Sequence, residues 1–228
     1  MPSPLGEYVR RRLLPTLVVR LSRLPGPRNL AASVRRVLGR SSTIELYFAY
    51  DDPYAAVALP GVLALARRHG ATLALYPLLE RGIPDDPAAV QRQRHAIVDA
   101  GRLLEREGKR LTRRLPLSSE DTAFLACWTQ ASQDRPALGE FAAAALAQLW
   151  LGGNDPVRAD DFAALHRQFL GSEPPADDAG VRDALAANRQ RLLARGHWES
   201  PAARLDGEWF FAHERLPAMA VRLAASHG

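Results

Sequence analysis

Between Thr43 and Leu79 the hydrophobic period of the chain changes twice, and this constrains the fold more than any other feature. The run "TIELYFAY" (43–50) is β-branched and aromatic, the composition of a strand. The next segment, "PYAAVALPGVLALARRHG" (53–70), spaces its apolar residues as a helix does and stops at a glycine. "ATLALYPLL" (71–79) then reads as a strand again. A strand, helix and strand in this order form a βαβ unit, which implies parallel strands joined by a right-handed crossover.

From Asp85 to Gly171 the spacing is helical. "DDPAAVQRQRHAIVDAGRLLEREGKRL" (85–111), "SSEDTAFLACWTQASQ" (118–133), "ALGEFAAAALAQLWLGG" (137–153) and "RADDFAALHRQFLG" (158–171) show helical apolar spacing, several with capping starts. A helix over 177–196 leads to "SPAARLDGEWFFAHERLPAMAVRLAA" (200–225). That tail predicts a strand, a tight turn at Asp206-Gly207, a strand from Glu208 and a closing helix. With 228 residues, 47% of them apolar, the chain is long enough to bury a sizeable core. Its fold class is therefore α/β, βαβ then helices then αββα.

Charge separates the first forty residues from the rest. Residues 1–40 hold nine arginines against Glu7, a balance of +8 that leaves −3 for the remainder of a chain whose total is +5. The basic pI thus describes an arm, and the body offers no nucleic-acid-binding face. Within the arm, Val9, Leu13, Leu14, Leu17, Val18, Leu21 and Leu24 share one helical face with arginines opposite. We expect 1–42 to be a basic helical N-terminal extension and 43–228 the main domain, with a helical insertion over about 84–172. The arm's leucine face either docks on its own domain or a partner subunit, as in a homodimer, or rests on an anionic membrane surface. The start lacks a small-residue cleavage site, and Cys127 is the single cysteine, so no intrachain disulfide forms. These features predict a cytoplasmic protein, peripheral to a membrane if the arm binds one.

The junction "YDDPY" (50–54) sets two carboxylates where strand turns to helix. Helix N-termini carry unpaired N–H groups and partial positive charge, which favour anions. One reading makes Asp52 the N-cap with Pro53 as first helical residue, a pairing that suffices to explain the sequence. The other makes Asp51 or Asp52 a general acid or base, its pKa raised by burial beside a second carboxylate. Cys127 reads as a packed thiol in mid-helix. The histidines show no metal-type spacing, and no metal is expected.

"LYFAYDDPYAAVAL" resembles the first strand and active-site turn of 2-hydroxychromene-2-carboxylate isomerases and kappa-class glutathione transferases, which read strand, Ser-Pro-Tyr, helix. "RQRHAIVDAGRLLEREG" is similar to that family's helix bearing Asp, Arg and Gly, here Asp99, Arg102 and Gly108. "GHWESPAARLDGEWFFAHERL" resembles its closing Gly-x-x-x-Val-Pro, strand, Asp-Gly-Glu, aromatic pair and Gly-x-Asp-Arg-Leu. The resemblance implies a thioredoxin-like fold of the DsbA group, with helices inserted between βαβ and ββα halves, and glutathione as the cofactor. It places Pro201 on the family's cis-proline and the backbone of Ser200 where glutathione pairs like an added strand. Glu214 and Arg215 fall on the family's Asp-Arg, whose acid contacts the ammonium of the γ-glutamyl group, and Tyr54 follows the active-site turn.

Asp52 falls on the family's catalytic serine, the hydroxyl that donates to the glutathione thiolate. An ionised carboxylate cannot donate there. At about 4 Å and an effective dielectric near 20, two negative charges repel by roughly 4 kcal/mol, more than a good hydrogen bond returns. Two candidate functions emerge. One is a glutathione-dependent isomerase or transferase acting on a small aromatic or conjugated carboxylate, with Asp52, Asp51 and Tyr54 at the reacting centre, Ser200, Pro201, Glu214 and Arg215 at the cofactor, and Arg102 or Arg215 on the substrate carboxylate. The other is a redox-inactive binding or assembly module that keeps the fold without a CxxC pair. Thiol-disulfide exchange is disfavoured because the first helix carries no cysteine.

Overall fold

The computed structural model describes residues 41–225 apart from 80, 84, 85, 154 and 177. The basic arm expected over 1–42 lies outside the described residues up to position 40. A four-stranded sheet in the order β2-β1-β3-β4 forms the centre. β1 (Thr43–Ala49) runs parallel to β2 (Thr72–Leu78), with Thr43 opposite Thr72 and Ala49 opposite Leu78. β3 (Ala202–Leu205) pairs antiparallel with β1, and β4 (Glu208–Phe211) antiparallel with β3. The helix α1 (Pro53–Arg68) makes the crossover. Four helices come after β2: α2 (Ala89–Arg106), α3 (Ser119–Ala131), α4 (Leu138–Leu151) and α5 (Ala159–Leu170). Then α6 (Ala179–Ala194) returns the chain to β3, and α7 (Leu216–Ala225) closes it.

The order is the βαβ, helices, αββα expected from the hydrophobic periods. The helix ends move where local chemistry acts. α2 stops at Arg106 rather than near Leu111, because Gly108 takes the left-handed conformation, φ +72°, and the N–H groups of Glu107 and Lys109 turn back onto Leu104 O. α3 begins at a reciprocal capping box between Ser118 and Asp121. The hairpin turn holds Asp206 at φ +52° and Gly207 at φ +82°, the paired left-handed conformation that an Asp-Gly turn supplies.

Strand alternation divides the core between the two faces of the sheet. Ile44, Leu46 and Phe48 of β1 join the main core with α1 and the apolar side of α4, where Phe141, Leu146 and Trp150 are fully buried. Tyr47 and Ala49 point the other way and pack with Leu78, Leu192 of α6, Tyr76 and Trp209. Trp150 donates from Nε1 to Tyr50 O at 3.0 Å, tying α4 to the end of β1 just before the carboxylate pair.

β2 is an edge strand, so it tolerates Pro77, whose missing N–H removes no ladder bond. The Pro77 carbonyl is satisfied from α6 instead. Buried Asn188 donates to it at 3.1 Å and to Gln130 Oε1 at 2.8 Å. Asn188→Leu keeps the volume and strands both acceptors, and it should lower the unfolding free energy by about 1–3 kcal/mol in denaturant melts. A loss below about 0.5 kcal/mol would mean that water replaces the amide. Among the described residues, no helix is long and apolar enough to cross a membrane.

Candidate functional site

β1 ends at Ala49, and the turn through Tyr50 and Asp51 delivers Asp52 to the N-terminus of α1. Asp52 is the N-cap: its Oδ1 accepts from the Tyr54 N–H at 3.0 Å, with Pro53 in the first turn. Both carboxylates are buried, Asp52 completely and Asp51 to 6% exposure. Arg81, from the loop after β2, lies against the pair. Its Nε donates to Asp51 Oδ2 at 3.3 Å, one terminal nitrogen donates to Asp51 O at 3.3 Å, and the other stands 4.0 Å from Asp52 Oδ1. Asp51 Oδ1 and Asp52 Oδ2 have no hydrogen-bond partner.

These surroundings shift both acids upward. Burial pushes Asp52 up to about 6; the Arg81 charge pulls it back, and the Asp51 charge adds to the rise. Burial likewise raises Asp51 against the pull of Arg81. The Ser200 hydroxyl also lowers Asp52 slightly. Its Oγ accepts from the Ala49 N–H at 3.0 Å, which locks the start of β3 onto the end of β1 beside the acid pair. The Ser200–Pro201 bond is cis, and Pro201 is buried.

A cleft of about 640 Å³ opens over this junction. Asp51, Tyr54, Arg81 and Ser200 line it, and Asp52 lies beneath the surface. Arg92 of α2, Arg189 of α6, Glu199, His213 and Glu214 complete its polar wall, with Leu79, Ile83 and Phe211 as apolar lining. Tyr54 donates its hydroxyl to Asp99 Oδ2 at 2.9 Å, and burial together with that carboxylate raises its pKa further above the ordinary phenol value. The Tyr54 ring stacks on His213, centroids 4.2 Å apart and 20° from parallel. Arg92 bridges Asp86, through Nε at 2.7 Å, and Glu199, at 3.7 Å.

The structure thus brings Asp51, Asp52, Tyr54, Ser200, Pro201 and Glu214 together. Arg215 is exposed and Arg102 is exposed, and neither lines the cleft. Trp198, 46% exposed, also stands outside the lining. Cys127 is buried in α3. Arg81, Arg92, Arg189 and His213 also line the cleft, and sequence reasoning misses them. His213 stands beside Glu214 and Arg92 opens the stretch that resembles the family's helix, but neither matches a position of the pattern; Arg81 and Arg189 sit in segments with no motif of their own. Among the described residues, no group of acids, histidines and cysteines has the makings of a metal site.

No family model matches the sequence, and no curated protein matches it. Solved structures do match the fold. A 2-hydroxychromene-2-carboxylate isomerase superposes with TM-score 0.62 at 16% identity, over 80% of this chain and 94% of its own. The chain has the DsbA-like thioredoxin fold. A probable DsbA oxidoreductase from Streptomyces coelicolor gives TM-score 0.64 at 16% identity, covering 82% of this chain and 90% of that one. The cytosolic disulfide reductase DsbM from Pseudomonas aeruginosa, in a structure with GSH, gives 0.59 at 13%, over 81% and 98%. In this chain the end of the first strand and the N-terminus of the first helix carry two aspartates, and the single cysteine is remote from them in sequence.

Proposed function

We propose that this DsbA-like protein is an isomerase- or transferase-type enzyme that binds a small aromatic or conjugated carboxylate in the cleft and moves a proton with the Asp51–Asp52 pair. The observation that carries this reading is Asp52 itself. It is a fully buried acid with one unpartnered oxygen, pushed up to about 6, next in the chain to a cleft-lining second acid. Such an acid holds a proton near neutral pH, the requirement for exchanging one with a molecule bound in the cleft. Tyr54, hydrogen-bonded to Asp99, supplies a hydroxyl at the same wall. Arg92 and Arg189, rather than Arg102 and Arg215, are the cations a substrate carboxylate meets in the cleft.

Glutathione fits the same cleft as cofactor on the strength of the Ser200–Pro201 turn, the lining Glu214 and the GSH-containing DsbM neighbour. Asp52 works against its thiolate when ionised and favours it when protonated, because a carboxylic acid then donates a hydrogen bond as a serine would. Glutathione should therefore bind more tightly to Asp52→Ser than to the wild type at pH 8, by about tenfold or more, given the charge repulsion removed. Calorimetric titration reads this directly. Equal affinities would remove glutathione from the proposal and favour the second reading.

That second reading is a binding module without turnover. The specific support for it is the complete burial and capping bond of Asp52, which give the residue a structural duty regardless of chemistry. In either reading the arm serves contact with a partner subunit or an anionic surface, and the absence of any cysteine at the first helix leaves disulfide exchange without a nucleophile.

A further inference from the structure

His213 occupies the cleft wall in a way that neither acid–base pair nor cap explains. Its side chain is 9% exposed, its ring lies flat on Tyr54 at 4.2 Å, and the edge of Phe211 faces it at 6.5 Å. The stack holds the ring plane, and Tyr54 is itself held by its bond to Asp99. Nδ1 is buried with no partner. Nε2 stands 3.7 Å from Glu214 Oε1, beyond hydrogen-bond reach, and Glu214 is itself a surface residue of the cleft.

A buried N–H without an acceptor costs more than a buried lone pair, so the ring proton belongs on Nε2 and the lone pair on Nδ1. Burial also lowers the pKa of His213, against the opposing charges of Glu214, Asp99 and Glu199, which keeps the ring neutral. A neutral ring with its proton on the cleft side is a directed donor rather than a base. We infer that His213 is a further ligand-contacting residue, presenting Nε2–H into the cleft to a carbonyl or carboxylate oxygen of the bound molecule, with Tyr54 and Asp99 as positioning residues. The inference rests on the reading of the cleft as a small-molecule site. It adds a donor on the wall formed by the segment after β4, complementing the acids at the end of β1, so a conjugated oxo-compound is gripped at an oxygen by one wall while its proton is moved at the other.

Two measurements test it in the full-length protein. Long-range imidazole ¹⁵N spectra should show the Nε2–H tautomer of His213 in the free protein at pH 7, and the Nε2 signal should shift on adding cinnamate, a simple conjugated carboxylate. An Nδ1–H tautomer, or an imidazolium at pH 7, overturns the inference. In parallel, cinnamate and glutathione are titrated into wild type, His213→Phe, which keeps the aromatic stack without the donor, and His213→Gln, whose amide N–H restores a donor in the Nε2 position. At least one probe should bind tenfold or more weakly to His213→Phe and recover to within about threefold in His213→Gln. Binding unchanged in His213→Phe overturns the role of His213 alone. Failure of both probes to bind the wild type overturns the small-molecule reading of the cleft, and this inference with it.

Discussion

Arg81→Met should destabilise the protein by about 3–5 kcal/mol at pH 8, the cost of leaving buried charge without its partner. Arg81 approaches both Asp51 and Asp52, whose own exposures are 6% and 0%. Methionine keeps much of the stem's packing, so the loss isolates charge and hydrogen bonding. Both acids have raised pKa values even with Arg81 present, and its removal raises them further. At pH 5 Asp52, raised to about 6 even with Arg81 present, is protonated in the variant and the penalty shrinks. Chemical denaturation of both proteins at pH 5 and pH 8 should therefore show a large deficit at pH 8 and a much smaller one at pH 5. Equal deficits would mean that Arg81 acts by packing alone.

Why this arginine is hidden in the sequence while the aspartates are not is a question of range. The strand, helix and strand over 43–78 are legible because hydrophobic period is a local property, and the Asp206-Gly207 turn because its two residues are those that accept positive φ. Asp52 is legible as a cap from four residues, "DDPY". Arg81 comes from a loop after β2 and meets Asp51 only because the parallel register sets Ala49 opposite Leu78, bringing the ends of β1 and β2 to the same edge. Sequence spacing carries no trace of that contact. Arg189 reaches the cleft from α6, and its bond to Gly82 O is likewise set by the packing of that helix beside β2.

The misplaced cations have the same origin. Resemblance to motifs assigns Arg102 and Arg215 to the site, yet each faces outward, because the helix face or loop turn that presents a side chain is decided by packing. Arg92, one turn or more before Asp99 on α2, is the residue on that helix that lines the cleft. Asp51 and Ser200 reach the cleft from near the strand ends, where sheet register fixes them. On the inserted helix and in the turn before α7 the outcome differs residue by residue: Asp99 meets Tyr54 and Glu214 lines the cleft, while Arg102 and Arg215 do not line it.

Asp52→Asn should raise stability at neutral pH and leave it nearly unchanged in acid. The folded pKa of Asp52, about 6, lies above its ordinary value of 3.8. A group raised in this way favours the folded state fully below about pH 4 and loses that contribution as pH climbs through 6. The difference of about two pKa units corresponds to roughly 3 kcal/mol, reduced where burial relaxes with a little solvent entry. Asparagine carries no charge to bury, and its side-chain oxygen still accepts from the Tyr54 N–H, so the cap survives. Unfolding free energies measured from pH 4 to pH 8 should coincide for the two proteins at the acid end and diverge by about 2–3 kcal/mol in favour of the variant at pH 8. Using the difference between the two curves cancels the other titrating groups, including Glu45, whose lowered pKa acts with the opposite sign. A variant that is less stable at pH 8 would mean that the Asp52 charge is better matched by Arg81 than its burial suggests. If the variant is more stable, the native chain keeps a buried acid that weakens its own fold at neutral pH. A cap alone gives no reason for that, because asparagine caps equally well, whereas a proton-transfer role does.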